Sequence, residues 1–233
     1  MCRHRDRIAA IMLRESEVTC WESGGGVASE GVPMQFSMDL EPPRRKWPDP
    51  LRDAGDNSLF FAILPEPDVA ARIEALSGTL RTSYGLTGRP ISAKRLHVTL
   101  NPIANYATLL DYDVTAAMEA AATVALPPFE ISFNRMQSFR RRENQPLVLR
   151  CGDGLAAFAR LQKSLYAALK AAAYVGKAPA NYTPHITLLY DRRSVDETDL
   201  DEPIAWTVRE FALVYSVYGE SRHMHLGQWP LKI

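Results

Sequence analysis

Leu96-His97-Val98-Thr99-Leu100 and Pro184-His185-Ile186-Thr187-Leu188 decide the reading of this chain. Each carries the tetrapeptide His-x-Thr-Leu inside a β-branched, apolar run. Successive side chains of a strand point to opposite faces. His97 therefore shares a face with Thr99, and His185 with Thr187. Val98, Leu100, Ile186 and Leu188 turn the other way. Two chance copies among five histidines are expected on the order of once in a few thousand chains. The repeat thus reads as a built feature rather than as two buried strand histidines. Two such faces meeting across one cleft supply two proton-transfer groups and two hydroxyl donors around one small anionic centre.

Outward from the two motifs, the chain repeats itself. Leu59 to Leu64 is an apolar strand stopped by Pro65. Val69, Ile73, Leu76 and Leu80 have the spacing of an amphipathic helix. The first His strand follows, closed by Asn101-Pro102. Val114 to Ala125 is Ala-rich and reads as a helix. Phe129, Ile131 and Phe133 alternate as a strand. Pro146 to Cys151 is another, ended by Gly152-Asp153-Gly154. Leu155, Phe158, Leu161, Leu165 and Leu169 mark a second amphipathic helix. Gly176 and Pro179 break it before the second His strand. Phe211, Leu213, Tyr215 and Val217 alternate in a late strand, and His223 to Leu231 reads as the last.

A strand–helix–His-strand order thus occurs twice, over 59–100 and 146–188. The duplication predicts two similar lobes related by a pseudo-twofold axis, with the His strands together at the centre. The expected fold is α+β and bilobal, with mainly antiparallel sheets lining a central cleft and helices outside. Residues 1–56 read differently, punctuated by Ser23-Gly24-Gly25-Gly26 and a Pro-rich, charged stretch over 41–50. They are expected to form a partly disordered N-terminal extension. Residues 57–233 are expected to form the two-lobed domain.

The 233 residues suit one or two domains with a real core. Lys+Arg and Asp+Glu both number 27. A protein that coats long nucleic acid is usually basic, so a small substrate or an RNA end fits better. Of the local basic clusters, Lys94-Arg95 lies beside the first motif and is the best placed to guide a phosphate inward. Arg140-Arg141-Arg142 and Arg192-Arg193 read as surface charge. Cys2, Cys20 and Cys151 are scattered and odd in number, which argues against a disulfide framework and for a cytoplasmic location. No apolar stretch is long enough to span a bilayer, and no membrane partner is expected. No phosphate-cradling G-x-x-x-x-G-K-[ST] loop occurs. His223 and His225 share a strand face, but no nearby Cys or third His supports a metal site, so no metal and no cofactor are expected.

These residues resemble the 2H phosphoesterase superfamily, in particular the 2′-5′ RNA ligase-like proteins (RNA 2′,3′-cyclic phosphodiesterases). Besides the two motifs, Leu59-Phe60-Phe61-Ala62-Ile63 with Pro65 resembles the opening strand of that family. Tyr182-Thr183-Pro184 resembles the lead-in to its second motif. Leu213 to Ser216 and Gly227 to Leu231 resemble its C-terminal strand pair. The likeness covers roughly 57–233.

The resemblance implies hydrolysis of a terminal 2′,3′-cyclic phosphate to a 2′-phosphate, reversible as ATP-independent 2′-5′ ligation. It implies His97 as acid, His185 as base, and Thr99 and Thr187 as donors to the non-bridging oxygens. Tyr182 is a candidate for stacking on a base or for packing, and His223 for lining the cleft mouth. The expected partner is an RNA end or a small nucleotide with a cyclic phosphate, taken by a monomer. Three other readings remain at this stage. One is a phosphodiesterase acting on a small cyclic-phosphate nucleotide or a 2′-5′ oligonucleotide. Another is a non-catalytic nucleotide- or RNA-end-binding module. The last is a structural protein whose repeat is only a duplicated fold element.

Overall fold

The computed structural model describes residues 52–172 and 182–232. Eight strands form one sheet: β1 (Arg52–Ile63), β2 (Val98–Tyr106), β3 (Phe129–Ser138), β4 (Gln145–Asp153), β5 (His185–Asp191), β6 (Thr198–Val208), β7 (Glu210–Val217) and β8 (Arg222–Pro230). Among the described residues, three helices accompany them: α1 (Pro67–Ser83), α2 (Asp111–Ala122) and α3 (Leu155–Ala171). A short 3-10 turn, Ala93–Arg95, leads into β2.

The strand order is β6-β3-β4-β5-β2-β1-β7-β8, and every pairing among the described residues is antiparallel. The sheet divides into two four-strand halves, β2-β1-β7-β8 and β5-β4-β3-β6. The His strand of each half is its inner edge, at the centre of the whole sheet, and the strand that precedes a helix lies next to it. β1-α1-β2 and β4-α3-β5 are thus the two copies of the duplicated unit that the sequence shows.

The halves meet at a single ladder position, Val98 opposite Ile186. Two strands joined so briefly need other ties, and the helices supply them. Ser77 of α1 donates to the carbonyl of Leu188 on β5, at 3.3 Å. Gln162 of α3 donates to the carbonyl of Leu100 on β2, at 2.8 Å. Each helix therefore reaches across to the His strand of the opposite half. Leu100 and Leu188 are the equivalent leucines of the two motifs. The Leu188 carbonyl also accepts from the Ile91 amide at 2.7 Å, while Gln162 supplies a partner for the Leu100 carbonyl where β2 and β5 diverge, and a buried unpaired carbonyl is costly. Asn101 completes the clasp by donating its amide to the main-chain oxygen of Gln162 at 3.3 Å.

The apolar core lies on the helix side of the sheet. Phe61, Ile63, Leu100, Phe133, Leu149, Leu188 and Leu213 point into it, and Ile73, Phe158, Leu161 and Leu165 meet them from α1 and α3. Phe60, Ala62, Ala212 and Val214 form a separate small apolar cluster from alternate residues of β1 and β7. They turn to the other face, which lines the cleft.

Three sequence expectations change. Asn101-Pro102 does not close the first His strand, because β2 runs on to Tyr106. Proline lacks an N–H and fits a sheet only at edges or bulges. Beyond Val98, β2 has lost β5 from one side, and the β1 register shifts beside Pro102. The opening strand begins at Arg52 rather than Leu59. The extension expected over 1–56 lies outside the described residues up to 51, and its last five residues belong to β1. β6 is an additional strand. The break expected at Gly176 and Pro179, and His4, also lie outside the described residues.

Candidate active site

Val98 and Ile186 are fully buried on the helix side. Alternation therefore turns His97, Thr99, His185 and Thr187 to the cleft face. Antiparallel register about Val98 and Ile186 sets His97 opposite Thr187 and Thr99 opposite His185. Residues flanking a paired position on one face of antiparallel strands are near neighbours. The four candidate residues thus form a compact square with near-twofold symmetry.

The two imidazoles are held alike. His97 Nδ1 lies 2.8 Å from the Arg95 carbonyl, and His185 Nδ1 lies 2.7 Å from the Thr183 carbonyl. A carbonyl only accepts, so each Nδ1 carries the proton and donates it. Nε2 is then the working atom of both rings: a base when the ring is neutral, an acid when it is charged. Each ring also leans on a phenylalanine. Phe60 stands 5.0 Å from His97, and Phe139 stands 4.9 Å from His185, centroid to centroid.

Burial lowers the pKa of both histidines below the ordinary 6.5, because a charged ring loses hydration. The carbonyl bond at Nδ1 partly offsets this in each. Neighbouring charge depresses them further: His185, Arg95 and His225 act on His97, and Arg141 acts on His185. Arg141 therefore reaches the site, although its cluster reads as surface charge in the sequence.

His223 joins the site beside His97, its ring 5.1 Å away and inclined at 69°. Burial, then the charges of His97, Arg95 and His225, push its pKa down to about 3. Tyr182 stacks on Phe158 at 6.2 Å and tilts toward His185 at 5.7 Å. One face of its ring is therefore taken by packing. Its buried hydroxyl is turned toward Thr99 without closing a hydrogen bond, and burial pushes its pKa up to about 12.

Sequence reasoning missed Phe60, Phe139 and Arg150 as neighbours of the site. Arg150 is paired in register with His185. Its guanidinium, however, is engaged by Glu197 at 2.7 Å and Gln137 at 3.3 Å, which commits it to β3 and the β5–β6 connection. Beyond Phe139 a recess of about 330 Å³ is lined by Gln137, Ser138, Arg140 and residues 194–197. That volume is at the lower end of small-molecule sites.

Fold and site together define a duplicated-sheet protein that presents two equivalent imidazole–hydroxyl pairs at one strand junction. The family model for the 2′-5′ RNA ligase superfamily matches residues 65–220, and the chain belongs to that superfamily, the 2H phosphoesterases. Among solved structures, TT0787 of Thermus thermophilus is similar with a TM-score of 0.60 at 19% identity, over 75% of this chain and 98% of that one. Escherichia coli LigT in apo form gives 0.57 at 21%, over 76% and 98%. LigT complexed with 3′-AMP gives 0.58 at 23%, over 76% and 99%. These likenesses establish the fold. No curated protein matches the sequence. Among the described residues, no helix is long and apolar enough to cross a membrane.

Proposed function

We propose that the protein hydrolyses the 2′,3′-cyclic phosphate at an RNA end to a 2′-phosphate, with His97 and His185 as the acid–base pair. One observation carries this reading: both Nδ1 atoms are tied to the carbonyl two residues back, leaving two equivalent Nε2 atoms free on the face that Thr99 and Thr187 share. Membership of the superfamily supports it, as does the relative LigT, solved in complex with 3′-AMP and with phosphate.

In the reaction, neutral His185 takes a proton from water through Nε2 as the water oxygen bonds to phosphorus. Protonated His97 gives its Nε2 proton to the departing 3′ oxygen as the P–O3′ bond breaks. Thr99 and Thr187 donate to the non-bridging oxygens, where negative charge builds in the transition state. The proton count closes with the histidines exchanged in form. A second turnover needs one proton to return from His185 to solvent and one to reach His97. With a 5′-hydroxyl in place of water as the nucleophile, the same steps in the same direction make a 2′-5′ linkage without ATP.

The test is hydrolysis of a nucleoside 2′,3′-cyclic phosphate in EDTA, with the product isomer identified. The 2′-phosphate is expected. Release of the 3′-phosphate, or dependence on an added metal, contradicts the scheme.

A further inference from the structure

One corner of the cleft carries groups that the two-histidine chemistry leaves unused. Nδ1 of His223 and Nε of Arg95 are both buried with no hydrogen-bond partner. Buried polar atoms are almost always paired, and those that are not commonly mark the place of an absent polar group. The His223 ring stands edge-on to His97 and, at 6.0 Å, to Phe60. Arg95 and His225 lie close enough to oppose protonation of both His97 and His223. Among the described residues, none of the charges acting on those two rings is a carboxylate. The apolar cluster of Phe60, Ala62, Ala212 and Val214 beside them supplies no counter-charge. A permanent guanidinium and two further imidazoles therefore gather beside His97 without an anion among the described residues.

We propose that Arg95, His223 and His225 form a second anion subsite that binds a phosphate ester on the 5′ oxygen of the terminal nucleotide. The proposal rests on the function above, in which His97 serves the 3′ oxygen and so marks the ribose side of the cleft. The 5′ oxygen belongs to that same ribose, and its phosphate projects past His97 toward β8. An N–H from Arg95 and one from His223 then meet phosphate oxygens in charge-assisted hydrogen bonds. Like-charge crowding, which with burial keeps His223 neutral in the free protein, is relieved when a phosphate arrives. The subsite favours an RNA end, or a 5′-phosphorylated nucleotide, over a bare nucleoside cyclic phosphate.

The test is calorimetric titration of the full chain with adenosine 2′-phosphate and adenosine 2′,5′-bisphosphate, repeated with Arg95→Gln and His223→Gln. The bisphosphate is expected to bind wild type at least about tenfold more tightly, with the ratio falling toward one in each variant. Equal affinities in wild type, or a ratio untouched by both substitutions, overturn the proposal. A dinucleotide ending in a 2′-phosphate separates the two sources. An equal gain assigns the subsite to a phosphodiester, and a gain confined to the bisphosphate assigns it to a phosphomonoester. Turnover of the cyclic phosphate is scored separately. Its absence with the affinity ratio intact overturns the hydrolytic reading and leaves the anion subsite standing.

Discussion

Replacing Asp191 by Asn is expected to cost about 1–2 kcal/mol of stability near neutral pH and almost nothing near pH 2. Asp191 ends β5, the strand that begins with His185. Its Oδ2 accepts from the Thr87 amide at 2.6 Å, the Gly88 amide at 2.7 Å and the Thr87 hydroxyl at 3.2 Å, and its Oδ1 accepts from the Arg193 amide at 2.9 Å. These donors, led by the Arg193 amide, draw the carboxyl from 3.8 down to about 2. At 1.36 kcal/mol per pH unit, that preference for the charged form is about 2 kcal/mol. The side chain is covered by its partners, but few atoms lie beyond that first layer, so solvent screening trims the figure to about 1–2 kcal/mol. An Asn amide retains one acceptor and turns its NH₂ against a backbone N–H, a cost in the same range. Because the folded pKa is depressed, the stability is fully present above the unfolded value of about 3.9 and is lost as pH falls through about 2. Urea unfolding of both proteins between about pH 6 and pH 2 reads the difference directly. Equal stability at pH 6, or a gap that does not close in acid, refutes the reasoning.

Two further outcomes follow from the site and its seam. Gln162→Met leaves the Leu100 carbonyl without its donor and is expected to cost about 1–3 kcal/mol in urea unfolding; an unchanged midpoint would show that the clasp contributes nothing. The pH profile of kcat/KM on a cyclic phosphate is expected to be bell-shaped with its maximum below about 6.5. Burial lowers both His97 and His185 from that value, and the required state has one ring neutral and one charged. A maximum above about pH 7 contradicts it.

Much of the fold is legible in the sequence because the duplicated unit is local. Strand, helix and His strand each announce themselves by period within about twenty residues, and two copies of one order imply the central pairing. β6 is hidden for a physical reason. It is an edge strand whose first half, Thr198 to Pro203, is acidic and almost wholly exposed, and only Ile204, Trp206 and Val208 alternate into the core. β2 continues through Pro102 because its neighbour β5 has already parted from it, a tertiary circumstance with no local signature. The four residues of the square are legible through the repeat itself. Arg95 is legible too, as a basic residue beside the first motif, but Phe60, Phe139 and the packing of His223 on His97 are not. They reach the site from β1, the end of β3 and β8, and only the assembled sheet brings them together. Ser77 and Gln162 read as polar interruptions of amphipathic helices until each is seen to cap the motif leucine of the opposite half.

The central claim is that His97 and His185 act as one acid–base unit, and the most direct measurement is single-turnover hydrolysis of an RNA 2′,3′-cyclic phosphate by wild type, His97→Ala, His185→Ala and the double variant. General acid–base groups contribute about 10²–10⁴-fold each, and residues that act as a unit are not additive. Each single variant is expected to lose at least about 10²-fold, with the double variant falling far short of the product of the two losses. Retention of most of the activity by either folded single variant contradicts the account.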